Sequence, residues 1–345
     1  MLPTELCEAI IEYCQDDTRL LSSCALVCKA WLPKTRHLLF SKHEVYLYTD
    51  NADAFCGLPR TLKAQITAVD LNGFSFTHPT HRQNPRGILT LSRAFIHQCT
   101  SLRSLKLRGA ELVFPRFTQS LITTTLTTLV LVGDLKGRRT KKFSVQAGRI
   151  LDLVGKCAAL KHLSMFYETP WRYVDYAVEP QTDDRYPGLS RSKKTTLRFL
   201  RNLKVNLPWS VFVPWFLVPG VLDSPNVERL EIANEMGRAE EQIPILKTYI
   251  ESFSSSLKDL TLSLLYWNNI PGYIPRQKIY PHNMQKLLDI VESTREGKGE
   301  GELEPLTVIV TVPSDTVDPP DIEGVTWIFD SGLCHEDYHG NESEE

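Results

Sequence analysis

His78 and His81 are separated by two residues, and Cys334, His335 and His339 cluster near the C-terminal end. Imidazole and thiolate are the usual zinc ligands, but a structural site needs a tetrahedral set, and neither group completes one by local spacing. No structural metal is expected. Lys136, Arg138, Arg139, Lys141 and Lys142 make the sharpest basic run, with the composition of a nuclear-import or phosphate-contacting segment. A solvated loop is the commoner explanation of such a run. No RNA-type aromatic motif accompanies it, and nucleic acid is not expected as the main partner. The stretch Gly297-Lys298-Gly299-Glu300-Gly301 follows a helical pattern rather than a strand, so it reads as a turn and not as a phosphate cradle. No GxSxG elbow, HExxH pair or nucleophilic Cys–His constellation stands out. These residues predict a binding protein with no catalytic residues, no cofactor and no metal of its own.

The elements that must carry such binding divide into a short module and a larger body, since 345 residues exceed one small domain. Apolar residues at 42% and charged residues at 23% suit a globular chain with a sizeable core. A formal net charge of −2 gives no whole-molecule field toward nucleic acid or anionic membrane. The first dozen residues lack a basic segment followed by an apolar run, so no secretory signal is visible. The most apolar stretch, Val211 to Leu222, is interrupted by Pro214 and Pro219 and is too short to span a bilayer. Cysteines at 7, 14, 24, 28, 56, 99, 157 and 334 form no CxxC pair and read as buried small hydrophobes in a reducing compartment, cytosol or nucleus.

Residues 2 to 14 read as a helix: Pro3 suits a first turn, Glu5 favours its positive end, and Leu6, Ile10 and Tyr13 recur at helical spacing. Asp16, Asp17 and Thr18 break the pattern with side chains able to cap a second helix, whose apolar face is Leu20, Leu21, Cys24, Leu26 and Val27. A third helix is expected from about Cys28 to Ser41, with Trp31, Leu38, Leu39 and Phe40 apolar. A module of three such helices is too small to cover all its apolar surface. The face formed by Leu2, Pro3, Leu6, Ile10, Leu26, Val27 and Trp31 either packs internally or meets a partner.

The order Leu2-Pro3-x-Glu5-Leu6, Ile10-Ile11, Cys24-Ala25-Leu26-Val27-Cys28-Lys29-Ala30-Trp31, Arg36 and Leu39-Phe40 closely resembles the F-box family over residues 1 to about 43. The resemblance implies a three-helix bundle that docks on a Skp-family adaptor, and through it on cullin and RING subunits. It also implies that Leu2, Pro3, Leu6, Ile10, Leu26, Val27 and Trp31 make that contact.

Beyond Tyr46 an LxxLxL pattern recurs: Ile66-Val69-Leu71, Leu102-Leu105-Leu107, Leu126-Leu129-Leu131, Leu160-Leu163-Met165, Leu200-Leu203-Val205, Val227-Leu230-Ile232 and Leu257-Leu260-Leu262. A looser copy reads Leu303-Leu306-Val308. The last two apolar positions are two apart, as in a strand that buries alternate side chains. Helical spacing between them, at Ile88, Leu91, Phe95 and Cys99, at Phe117, Leu121 and Ile122, at Ile150, Leu153 and Val154, at Ile245, Tyr249 and Phe253, and at Met284, Leu287, Leu288 and Val291, predicts alternation of strand and helix. Parallel pairing follows, with each unit burying its face on the next. The expected fold class is therefore α/β, a small three-helix module (1–43), then a body with a parallel sheet (44–313) and an acidic C-terminal segment (314–345).

Residues 60 to 312 resemble the leucine-rich repeats that often follow an F-box, which implies an irregular solenoid. Two departures mark it. Steps of 36, 24, 34, 40, 27 and 30 residues from Ile66 to Leu257 are uneven. The repeat asparagine is missing, its positions holding Phe74, Ala110, Asp134, Glu168, Pro208, Glu235 and Leu265, so an asparagine ladder is not expected. In this register Asp70, Asn72, Ser104, Lys106, Arg108, Thr128, Val130, His162, Ser164, Phe166, Lys204, Asn206, Arg229, Glu231, Asp259 and Thr261 share the open face. From these, Lys106, Arg108, His162, Phe166, Lys204, Arg229 and Glu231 are the candidate contacts for a protein substrate. Two insertions, Trp171 to Lys194 and Tyr266 to Tyr280, carry aromatics that either anchor a client or pack back on the body. Together the two resemblances imply a non-catalytic substrate-recognition subunit of an SCF-type ubiquitin ligase. The alternative is a scaffold outside any ligase, associated with nucleic acid through the basic run.

Overall fold

The computed structural model describes residues 3–48, 51–71, 98–108, 125–133, 153–167, 195–206, 222–223, 226–235, 246–247, 249–251, 253, 256–265, 289, 292, 307–313 and 325–330. It begins with three helices, α1 (Thr4–Tyr13), α2 (Thr18–Val27) and α3 (Leu32–Lys42). The Asp17 side chain caps α2, accepting from the N–H groups of Arg19 at 2.8 Å and Leu20 at 3.0 Å. Two otherwise orphaned donors are satisfied there. The third helix starts later than its apolar pattern suggests. Cys28 is extended, Trp31 N–H closes a turn on Cys28 O at 3.2 Å, and Pro33 stands in the first turn, where its missing N–H costs nothing. Ile11, Leu21, Cys24 and Leu38 form the core of this module, with Cys14, Trp31 and Leu39 packed against it.

Only three residues after α3 the chain enters the sheet through β1 (Val45–Leu47). Short helices α4 (Ala52–Gly57) and α5 (Arg60–Lys63) lead to β2 (Ala68–Leu71), then β3 (Ser104–Arg108), β4 (Thr128–Gly133) and β5 (His162–Tyr167). Next come β6 (Thr195–Thr196), β7 (Asn202–Asn206), β8 (Leu222–Asp223), β9 (Arg229–Glu235), β10 (Asp259–Leu265), β11 (Thr307–Pro313) and β12 (Val325–Asp330). Among the described residues, ten strands form one sheet in chain order, omitting β6 and β8, which pair separately. Every pairing is parallel. Antiparallel neighbours need only a tight turn, whereas this order requires a crossover at each step. The fold is mixed α/β with a parallel sheet.

Register explains the burial. Val69, Leu105, Leu129, Leu163, Leu203, Leu230 and Leu260 are successive partners, and so are Leu71, Leu107, Leu131, Met165, Val205, Ile232 and Leu262. All of them are buried, together with the leading residues Ile66, Leu102, Leu126, Leu160, Leu200, Val227 and Leu257. Each such side chain contributes about 1.5–3 kcal/mol of transfer free energy, so the seven motif copies are the continuous core of the body. Helical residues 153–156 carry buried Leu153 and Val154, and Tyr249 meets Phe253 edge-on at 5.0 Å. Residues 88–95, 117–122 and 284–288 of the expected helices lie outside the described residues.

The step between strands is also fixed by backbone. In each motif after the first, the two residues after the leading apolar one donate to a single carbonyl of the preceding copy. Arg103 and Ser104 N–H reach Thr67 O at 2.8 and 2.9 Å, and Lys258 and Asp259 N–H reach Glu228 O at 2.7 and 3.0 Å. Thr125 Oγ1 donates to Leu102 O, and Ser256 Oγ to Val227 O, both at 2.8 Å. Hydroxyls before the strand thus bind neighbouring copies where no asparagine ladder is available.

The last strands shift two readings of the sequence. Val308 pairs with Leu260 and Val310 with Leu262, so the eighth copy is set two residues later than Leu303-Leu306-Val308 suggests. A shift of two keeps the same face of a strand inward, which is why the alternating valines disguise it. Beyond it β12 adds to β11, placing sheet structure inside residues 314–345.

Candidate functional site

Two surfaces gather the residues singled out above. On the helical module Leu26 is 86% exposed and Val27 62%, at the end of α2, while Leu6 and Ile10 on α1 are 53% and 42% exposed. Pro3 is exposed as well, and Leu2 lies outside the described residues. Leu6 and Ile10 are one helical turn apart, so they share a stripe of α1. Tyr13 at 91% and Leu20 at 51% extend the apolar exposure, and no spacing argument had assigned either to the contact. Trp31 differs from its companions, being half-buried against the module's own core.

Polar contacts tie α1 and the link after it to α3. Lys34 Nζ donates to Glu12 Oε1 at 2.7 Å, and this bond holds the Glu12 carboxyl below its ordinary range and the Lys34 ammonium above its own. Lys42 Nζ bonds Gln15 Oε1, and His43 Nε2 donates to Gln15 O at 2.6 Å. Thr67 Oγ1 reaches back to Ser41 O at 2.7 Å, fixing the end of α3 to the entrance of β2.

The second surface is the sheet face opposite the buried leucines. One register row holds Tyr46, Asp70, Lys106, Val130, Ser164, Lys204, Glu231 and Thr261. A second holds His162, Asn202, Arg229 and Asp259, and a third brings Arg108 and Phe166 into line through Val132. Backbone parity therefore puts all seven candidate contacts, Lys106, Arg108, His162, Phe166, Lys204, Arg229 and Glu231, on one face. Of the Arg108 side chain only this placement follows. Asn72 lies outside the described residues.

Charges on this face answer one another. Lys204 pairs with Glu231, Arg229 Nε lies 2.8 Å from Asp259, and the Asn202 amide is hydrogen-bonded to His162 Nδ1 at 2.7 Å. Directly opposed charges stabilise adjacent strands modestly and neutralise the surface locally. Asp70 departs from its expected display: it is 1% exposed, with the Lys106 ammonium 3.3 Å away. A buried carboxylate requires such a partner, which draws Lys106 into the sheet.

Cysteine chemistry is restrained where burial is deep. Burial pushes the Cys99 thiol up to about 11 and the Cys157 thiol up to about 12, with the nearby Lys63 and Lys156 ammoniums opposing the rise. Both stay protonated near neutral pH and are poor nucleophiles. Cys28, expected as a buried hydrophobe, is exposed because the extended link after α2 carries it out of the core. Among the described residues no group of three His, Cys, Asp or Glu side chains is placed to hold a metal ion. Nor is any described helix long and apolar enough to cross a membrane. His78, His81, Cys334, His335, His339, the basic run 136–142, the glycines 297–301 and both insertions lie outside the described residues.

Comparison with protein-family models and with curated proteins finds no match to this chain.

Proposed function

We propose that the chain is the substrate-recognition subunit of an SCF-type ubiquitin ligase, acting in the cytosol or nucleus. Its three helices are an F-box that docks a Skp-family adaptor, and its sheet body is an irregular leucine-rich-repeat-like solenoid that holds a protein client. The observation that carries this reading is the exposure of Leu6, Ile10, Leu26 and Val27 on a module whose core is already filled by Ile11, Leu21, Cys24 and Leu38. Aliphatic side chains left in water at that density favour a partner helix or groove, because removing each from water is favourable and nothing else in the module needs them there. The F-box motif carried by these residues supplies the identity of the partner.

Catalysis in this reading belongs to other subunits, and the chain contributes proximity by holding the client beside the charged ubiquitin carrier. The client face carries charge of both signs in registered pairs, and Arg229 is more open than Lys204 or Lys106. Such a face suits a protein segment with its own mixed polarity better than a polyanion.

The test is co-purification of the intact chain with a Skp-family protein and a cullin, comparing wild type with a Leu6→Asp, Leu26→Asp double variant. The variant keeps the fold and loses both partners. Equal adaptor binding by the folded variant removes the docking assignment, and adaptor binding without cullin or ubiquitinated clients favours a scaffold outside the ligase.

A further inference from the structure

We propose that the Arg198-Phe199 turn before β7, with Lys161 and Arg201 beside it, is a docking site for an acidic peptide segment that carries an apolar side chain. The proposal rests on the reading of the sheet body as the part that holds a protein client, and it names the chemistry of the segment held. The residues that follow the leading apolar positions form a row across the strand starts: Arg103, Thr127, Lys161, Arg201, Glu228 and Lys258. Each N–H after the first is bonded to the carbonyl of the residue before it in the row, at 2.7–2.9 Å. Arg103, Lys161, Arg201 and Lys258 stand against one carboxylate, and Glu228 is already shared, 3.3 Å from Arg201 Nε and 3.9 Å from Lys258 Nζ. Arg103 and Lys161 are exposed, and among the described residues no carboxylate pairs with either. Charges on the open face of the sheet cancel in pairs, whereas this edge keeps an excess of cations.

The turn itself separates structural need from surplus. The same turn precedes β3, β5 and β7, closed by Leu102, Leu160 and Leu200 N–H on the carbonyl three residues back at 3.2, 3.0 and 3.1 Å. Its two tip residues are Thr100-Ser101, then Ala158-Ala159, then Arg198-Phe199. Small side chains therefore satisfy this turn, and its geometry requires neither a guanidinium nor an aromatic ring. Phe199 is 56% exposed between buried Leu197 and Leu200. Its backbone is held from two sides: Asn226 Nδ2 donates to Arg198 O at 2.8 Å while Arg201 Nη1 donates to Asn226 O at 3.1 Å, and β6, which leads into the turn, pairs with β8. An anchor fixed in this way needs little further ordering on binding. Arg198 and Arg201 flank it, and Lys161 starts the neighbouring strand, about 4.8 Å away across the sheet. Guanidinium groups take carboxylates through paired N–H donors, and the ring offers an apolar contact between them. A nucleic-acid strand could stack on the ring, but its unbroken run of phosphates would meet Glu228 in the same row. A peptide can set a neutral residue there.

The experiment titrates the full chain, without any adaptor, against dye-labelled peptides of about eight residues, long enough at about 3.3 Å per residue to cross the row. Fluorescence anisotropy reads binding. One peptide is rich in glutamate with a central leucine, a second has glutamine for every glutamate, and a third has serine for the leucine. Wild type should bind the first at least about tenfold more tightly than either of the others, and less tightly as salt rises. Arg198→Ala, Phe199→Ala gives this turn the same pair that Ala158-Ala159 supplies before β5, so the fold should hold by circular dichroism while the preference for leucine disappears. Lys161→Gln should weaken the glutamate peptides and leave the glutamine peptide unchanged. Equal binding of the first peptide by the double variant, no binding by wild type, or equal affinity for the glutamine peptide would overturn the proposal. So would unfolding of the double variant, which would make the turn structural, or preference for a single-stranded RNA over the first peptide. Adaptor docking does not enter this readout, so failure here leaves the helical module's contact standing, and loss of that contact leaves this site standing.

Discussion

Asp70 and Lys106 face one another across β2 and β3, the carboxylate buried and the ammonium 3.3 Å from it. The pair is asymmetric. Lys106 keeps a path to water through its 24% exposed side chain, whereas Asp70 does not.

That asymmetry orders two substitutions. Lys106→Met removes the ammonium 3.3 Å from a buried carboxylate and should cost about 2 kcal/mol or more, while Asp70→Asn leaves an ammonium that can turn to solvent and should cost less. Urea unfolding of the two variants measures the difference. Equal losses, or a larger loss for Asp70→Asn, would contradict the pairing described here.

The exposed pairs behave differently. Lys204–Glu231 and Arg229–Asp259 sit on adjacent strands with both partners well solvated. Double-mutant cycles to alanine should give coupling of about 1 kcal/mol or less for each, shrinking as salt rises toward 1 M. Coupling that persists unchanged in high salt would show that these pairs are covered rather than open.

Much of the architecture is legible in the sequence, for a physical reason. A parallel strand buried on one face needs apolar residues two apart with a third leading them in, and the seven copies from Ile66 to Leu262 obey that at every position. The pattern failed where it loses information. Val308, Val310 and Val312 satisfy several registers alike, and β1 has Lys42 where a leading apolar residue would stand, so strand pairing was needed to place them. Side-chain parity likewise put Asp70 on the open face, but periodicity says nothing of what covers a residue. On the helices, spacing identified Leu6, Ile10, Leu26 and Val27 as apolar without deciding whether they pack inward. Only the filled core of Ile11, Leu21, Cys24 and Leu38 decides that, and it also explains why Trp31, one residue before α3, sits partly inside.

Protonation offers a check on the module's polar joint. Glu12 has its folded pKa lowered by Lys34, so the stabilisation is present above the ordinary value of 4.5 and is lost as pH falls through the lower folded value. Lys34 is raised above 10.5, so its share is present below that value and lost as pH rises past the folded one. Glu12→Gln should therefore lower the thermal midpoint between about pH 5 and 10 and merge with wild type in stronger acid. A difference that stays constant into acid would assign the effect to packing rather than charge.

The sharpest contrast available is between two leucines of α2. Leu21 is fully buried and Leu26 is 86% exposed, five residues further along the same helix. Leu21→Ala removes core volume and should cost about 2–5 kcal/mol, with adaptor binding falling only as far as the module unfolds. Leu26→Asp removes nothing from the core and should leave the denaturation midpoint within about 0.5 kcal/mol of wild type. If Leu26 is a docking residue, the same substitution places a charge in an apolar contact and should weaken adaptor binding by at least tenfold. Circular dichroism during denaturation and a titration against a purified Skp-family protein separate the two effects. A Leu26→Asp protein that is as stable as wild type and binds equally well would leave the exposed stripe without that partner, whereas one that unfolds would mean that Leu26 packs where the structure leaves it in water. Trp31→Ala cannot make this distinction, because its half-buried ring packs on the module's core as well as belonging to the proposed contact.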